Sequence, residues 1–176
     1  MTDESKAPWM NHTALATVVL AVCATLSTFK GGSWSTRSVI SQAMASDQWG
    51  FFQAKSLKQH LADSEAETLR LQALSLPAGS PVAAAYAERI AHARAEAGRY
   101  AKEKAQIEAQ ARQHEAARDE AQHHSQPFGL AVIFLQISIL LNSIAGLFKN
   151  QRIWWAAIPV ALVGLGLFAD GFLAWF

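Results

Sequence analysis

The chain has 176 residues, enough for one domain, and a formal net charge of +1, which gives a nucleic-acid partner nothing to select on. Its hydrophobic residues, 51% of the total, are segregated: charges are nearly absent from 12–29, 128–148 and 153–176 and dense from 55 to 120, where Lys/Arg and Glu alternate without blocks of one sign. The single cysteine, Cys23, excludes an intramolecular disulfide.

Residues 1–11 are short and polar and read as a tail. Residues 12–29 (HTALATVVLAVCATLSTF) carry no charge and are just long enough to cross a ~30 Å hydrocarbon core at ~1.5 Å per residue. The competing reading is a signal peptide. Leu20-Ala21-Val22-Cys23 is loosely like a lipoprotein cleavage box, but Val22 is a poor residue before the cut, and Asp3 and Glu4 spoil a positive leader. A retained first span is the expectation. Within it Thr17, Ala21 and Thr25 form a small-xxx-small row that would let another helix approach closely. Lys30-Gly31-Gly32-Ser33 follows. Glycine is costly inside a helix, so a hinge or break is expected there, with Trp34 as an interfacial anchor.

Residues 30–127 read as an extramembrane helical hairpin turning at 76–81 (LPAGSP). In the first arm apolar residues recur at Ile40, Met44, Phe51, Ala54, Leu57 and Leu61, mostly three, four or seven apart, and are expected to form its inner face. Ser80 suits the N-cap of the second arm and Pro81 its first helical position. That arm carries the cleanest period in the chain: Tyr86, Ile90, Ala93, Ala97, Tyr100, Lys104, Ile107, Ala111, His114, Arg118 and Ala121 alternate by four and three, a heptad seam made mostly of alanine. Arms of this size are each about 60–68 Å long at ~1.5 Å per residue. A turn centred near Ala78 and Gly79 would bring Phe51 and Phe52 beside Ile107, Leu57 beside Tyr100 and Leu71 beside Tyr86. Large would then face small, as a close antiparallel coiled coil requires. So narrow a seam also asks for burial by further copies of the chain.

Gln126-Pro127 reads as the next boundary, with a second span at 128–148, a connector at 149–152 and a third span at 153–176. Trp154-Trp155 and Trp175-Phe176 are belt residues of the third span, and Pro159 is a candidate kink. The short connector makes the last two spans antiparallel neighbours. Lys149 and Arg152 in the connector and Lys6 in the tail, against Lys30 and Arg37 at the base of the hairpin, place the hairpin on the non-cytoplasmic side.

Three features invite a functional reading. Gln136, Asn142, Ser138 and Ser143 make the second span polar. They could line a transport path, but interhelical hydrogen bonding is the plainer reading. Asp170 is the one acidic residue in a span. It falls near the far surface, where Lys30 is expected to pair with it. The polar and aromatic cluster Asp47, Gln48, Trp49, Phe51, Phe52 and Gln53, with Lys55 and Lys58 beyond it, lies too far from the first span to anchor in lipid and suggests a specified interface. With Ala93, Ala97, Tyr100, Ile107 and Ala111 it makes up the expected hairpin or oligomer interface. The six histidines do not converge in this register, and no Ser/His/Asp or Cys/His set, phosphate loop or glycine fingerprint is present. No metal, cofactor, nucleic-acid partner or enzymatic activity is expected.

Residues 45–59 (ASDQWGFFQAKSLKQ), and the stretch from Tyr100-Ala101-Lys102-Glu103-Lys104 through Phe128-Gly129-Leu130-Ala131 to the end, resemble a bacterial membrane family catalogued as domain of unknown function 4337. Members share Asp-Gln-Trp, an aromatic pair and Gln-Ala-Lys-Ser-(aliphatic)-Lys. Here Gly50-Phe51-Phe52 stand where alanine and tyrosines are expected, which removes hydroxyls. The resemblance covers nearly the whole chain. It implies a three-span protein of the bacterial inner membrane and brings no activity with it. The expectation is an all-α membrane protein whose long hairpin joins the first two spans, working as a homo-oligomeric scaffold. A channel or transporter subunit and a sensor hinged at Gly31-Gly32 are the alternatives.

Overall fold

A computed structural model describes residues 8–77 and 79–173. Most of the expected tail, with Lys6, lies outside the described residues, as do Ala78 of the turn and the aromatic pair Trp175-Phe176. Among the described residues there are three helices and no strand: α1 (Pro8–Ala73), α2 (Pro81–Leu147) and α3 (Gln151–Leu173). Each contains a stretch long and apolar enough to cross a membrane, which is compatible with a multi-pass membrane protein.

Two expected breaks are absent. α1 runs without interruption through Gly31 and Gly32, and α2 runs through Pro127. The reason at Gly31 is packing: a Cβ added there would lie 2.9 Å from the Cβ of Phe128, so the glycine is kept as a socket for a neighbouring helix rather than as a hinge. At Pro127 only one intrahelical donor is lost, and Phe128 beside it is almost completely buried, which holds the helix on course.

The turns follow local chemistry. α1 ends in three-residue hydrogen bonds, Leu74 N–H to Leu71, Ser75 to Gln72 and Leu76 to Ala73. Gly79 sits at φ 80°, a conformation that favours glycine. Ser80 Oγ accepts from Ala83 N–H at 3.1 Å and caps α2, with Pro81 at its first position. After α2, Lys149 adopts φ 51° and Asn150 N–H donates to Ala145, a left-handed helix end. Asn150 Oδ1 then accepts from Arg152 N–H at 3.0 Å and starts α3.

The chain forms two compact units, one of Met1–Val39 with Arg118–Phe176, the other Ile40–Ala117. In the first, Leu20 and Ala24 of α1 and Ala131 and Leu135 of α2 make a buried cluster flanked by Ala161, Leu165 and Phe168 of α3. The expected Thr17-Ala21-Thr25 row is not the packing stripe. Ala21 and Thr25 are exposed, and the inward positions are Thr13, Leu20, Ala24, Ser27 and Gly31, which keep the three-four alternation in a different phase. Phe128 and Leu135 supply the bulk: their side chains fill the space that a Cβ would need at Gly171 and at Gly164. Trp34 stacks on His124 at 4.7 Å, with the Arg37 guanidinium 5.4 Å from its ring.

In the second unit α2 buries the alanine seam. Ala93, Ala97 and Ala111 are 5% exposed or less, and Tyr86, Ile90, Tyr100, Lys104, Ile107 and His114 are half-buried. On α1 the expected inner face is the outer one. Ile40, Met44, Phe51, Leu57 and Leu61 are all exposed, and the inward positions are Ser41, Ala45, Gln48, Phe52, Lys55, Gln59, Ala62, Ala66 and Leu69. These too alternate by four and three, shifted from the expected face by one residue. Small residues let the backbones approach, so alanine and serine take the inside where a bulkier pair of helices would place leucine.

Candidate functional site

The residues with the most specific surroundings form a polar and aromatic belt in the second unit. Its position follows from the seam: Lys104 occupies an inward heptad position of α2, and an ammonium there needs acceptors opposite. Lys104 Nζ donates to Ser56 Oγ and Gln59 Oε1, both at 3.2 Å, and lies 4.9 Å from the centre of the Phe52 ring. One turn on, Lys55 pairs with Glu103 and sits 5.3 Å from the Tyr100 ring. Arg99 reaches the same Glu103 at 3.7 Å and the Tyr100 hydroxyl at 3.3 Å. On the other side Trp49 Nε1 donates to Glu115 Oε1 at 2.9 Å and meets Phe52 edge-on at 5.4 Å. Towards the turn the contacts thin to Glu65 with Arg89 at 3.3 Å and Gln72 with Tyr86 at 3.4 Å. As partner numbers rise along α1 they fall along α2.

The belt sorts the residues singled out in sequence. Gln48, Trp49 and Phe52 turn inward, while Asp47, Phe51 and Gln53 are exposed. Ala93, Ala97, Tyr100, Ile107 and Ala111 all lie on the inward row of α2. Ser56, Gln59, Glu103 and Glu115 are missing from the sequence-based set. The signal that could have found them is a lysine in the middle of an alanine seam. Chemically the belt fixes register: each cation has a named acceptor and ring, and a slip by one heptad would take Lys104 away from both Ser56 and Gln59.

The lysine at Glu103 has a consequence for pH. Its hydrogen bond holds the Glu103 carboxyl below the ordinary value of 4.5, against a smaller opposing effect of burial. A carboxylate lowered on folding adds stability above its unfolded pKa and loses it as pH falls through the folded one. Thermal unfolding followed by circular dichroism should therefore show the helices weakening below about pH 4.5. In Glu103→Gln that part of the pH dependence should disappear.

In the first unit the polar residues of the expected second span diverge. Ser138 is fully buried and donates to the Ala157 carbonyl at 3.1 Å, which ties α2 to α3. Asn142 is buried and, with Ser138 and His12, borders an apolar groove of about 330 Å³ that also holds Leu15, Trp154 and Ile158. Gln136 is exposed, and Ser143 is satisfied by the Ile139 carbonyl of its own helix at 2.8 Å. The expected Lys30–Asp170 pair is not formed. The Lys30 ammonium lies 6.0 Å from the Phe172 ring, and Asp170 Oδ1 is buried without a hydrogen-bond partner. Phe172, two residues after Asp170 on α3, packs edge-on against Phe128 at 5.2 Å and takes the cation instead. Among the described residues no three His, Cys, Asp or Glu side chains gather as metal ligands would.

No curated protein and no solved structure matches the chain. The family model described as "Domain of unknown function (DUF4337)" matches residues 9–174, nearly the full length, and the chain belongs to that family.

Proposed function

We propose that the protein is a non-enzymatic membrane scaffold: three spans hold it in the bilayer, and an antiparallel coiled-coil hairpin outside the bilayer carries self-assembly into a homo-oligomeric stalk or ring. The observation that carries this reading is the amount of apolar surface left uncovered in both units. In the first unit Leu15, Val18, Val22, Leu140, Leu162 and Val163 are exposed, as lipid-facing residues of spans would be. In the second unit, among charged neighbours, Ile40, Met44, Phe51, Leu57 and Leu61 are exposed as well, where lipid would not reach them. The falling partner numbers support the antiparallel pairing, and the belt supports a role in fixing its register.

The intramembrane polar groups favour a scaffold over a conducting path. Ser138 is consumed by a helix-helix hydrogen bond, Gln136 faces outward, and the groove beside Asn142 is apolar. The uninterrupted helix at Gly31-Gly32 favours it over a hinged sensor. Short-loop charges at Lys149 and Arg152 support a hairpin on the non-cytoplasmic face. The test is the mass of the complex purified in mild detergent, by native mass spectrometry. A single closed oligomer is expected. A monomer at every detergent and protein concentration tried would overturn the proposal.

A further inference from the structure

The uncovered apolar face of α1 in the second unit has its own periodicity. Ile40, Met44, Asp47, Phe51, Ala54, Lys58 and Leu61 follow one another by four and three, and all are exposed. This is a second heptad seam on the same helix, separate from the one that packs against α2 in the same chain. α2 carries a matching one. Starting at Ala84 and stepping by four and three, its exposed positions reach Ala91, Ala95, Gly98, Ala105, Ala109 and Ala116, with Glu88, Lys102 and Arg112 between them. One exposed face is bulky and the other is small.

We infer that the occupant of the bulky α1 face is the alanine face of α2 from a second copy of this chain. The inference rests on the scaffold reading, in which copies stand the same way up in one membrane, so that α1 of one and α2 of the next run in opposite directions. Setting Phe51 opposite Ala105 then fixes every other pair. Ile40 falls opposite Ala116 and Leu61 opposite Ala95. In the flanking row, two residues off exact opposition, Leu57, 61% exposed, comes nearest Ala101, and Leu71, 55% exposed, nearest Ala87. Ile40, Phe51 and Leu61 each meet an alanine, the arrangement that lets two helices close, while Met44 falls opposite Arg112 and can lie along its aliphatic stem.

The charges on the two faces fit the same register. Asp47, which has no hydrogen bond or ion pair among the described residues, comes within a turn of Arg112. Lys58 and Lys102 fall opposite Gly98 and Ala54, over which their aliphatic stems can lie while the ammonium groups reach water. Packing α1 against α1 of a copy standing the same way up would instead set Asp47 against Asp47 and Lys58 against Lys58. The joined surfaces are different, so the contact is head-to-tail, and its repetition gives a ring when the rotation closes.

The experiment is disulfide cross-linking of the full chain in membranes, in a Cys23→Ser background. Phe51→Cys with Ala105→Cys should give a ladder of covalent multimers on oxidation, at least about tenfold stronger than Gln53→Cys with Ala105→Cys, whose first cysteine lies on another face of α1. Neither Phe51→Cys nor Ala105→Cys alone should cross-link. Dimers from Phe51→Cys alone would overturn the inference in favour of an α1–α1 contact. Equal ladders from both double variants would overturn it as non-specific collision. The unoxidised mass separates the two levels of the reading: an oligomer without the 51–105 cross-link overturns this surface alone, and a monomer overturns self-assembly with it.

Discussion

Phe128→Ala is expected to be the most damaging single substitution in the chain. Phe128 is 1% exposed, and its side chain fills the space left by two glycines on two other helices, Gly31 of α1 and Gly171 of α3. Truncating it keeps the Cβ that seats against Gly31 but removes the ring that fills the space at Gly171, and leaves a cavity that glycine cannot fill. Large-to-small changes of this kind cost about 3–5 kcal/mol in water-soluble cores. Here about 3 kcal/mol, the low end of that range, is expected, because the Cβ and its seat against Gly31 remain. Unfolding in mixed micelles of increasing SDS content, followed by circular dichroism, measures it. The socket makes a sharper prediction about its two adjacent glycines. Gly31→Ala puts a methyl group 2.9 Å from the Phe128 Cβ, an atom that no side-chain rotation can move, and should cost about 1–3 kcal/mol. Gly32→Ala meets nothing within 4 Å and should gain about 1 kcal/mol from helix propensity. A gain from both substitutions would mean that Phe128 does not seat against Gly31.

Ala111→Leu is expected to have the next largest effect, through the opposite mechanism. Ala111 is fully buried in the seam between α1 and α2, with Ile107 and His114 half-buried on either side. The backbones approach closely because the residue between them is small. Three added carbons must push them apart, at about 1–3 kcal/mol, and the same movement would stretch the nearby bond from Trp49 to Glu115. Ala109→Leu makes the same chemical change at an exposed position two residues away. It should leave the unfolding of a single chain within about 0.5 kcal/mol of the parent, and on the proposed assembly it should also lower the native mass. Thermal unfolding of both variants, read beside native masses, separates folding from assembly. If Ala111→Leu unfolds with the parent, the seam is looser than its burial indicates.

The two arms differ in how much of them could be read in the sequence. The inward row of α2, from Tyr86 to Ala121, was legible because its interior is both small and regular: alanine favours helix and spaces it closely, and the few larger residues, Tyr100 and Ile107, keep the beat. The inward row of α1 was not legible. It carries Gln48, Lys55 and Gln59 in its middle, so hydrophobicity does not mark it, and Ile40, Met44, Phe51 and Leu61 mark the face one residue away more strongly. A hydrophobic period shows which face avoids water, not which partner covers it. The same limit applies at Gly31 and Pro127. Their intrinsic cost to a helix is real, but it is outweighed by the packing of Phe128, a contact between residues far apart in sequence. Asp170 and Lys30 were placed near one another by depth alone, and the aromatic ring of Phe172 takes the cation instead.

The overall fall of α2 partner numbers against rising α1 numbers, from Trp49 with Glu115 to Gln72 with Tyr86, also governs how the paired helices can change in length. Seven residues are two turns of either arm, about 10 Å of helix at ~1.5 Å per residue. Cutting seven from one arm alone would leave that length of the other with nothing alongside and move every later side chain past its partner. Cutting seven from both, at matching heights between the belt and Gly79, would return each remaining residue to the neighbour it already has. The length of the paired stretch of α1 and α2 is therefore quantised: it can be shortened or lengthened in paired sevens, and the lysine and aromatic belt would keep its place through each such change.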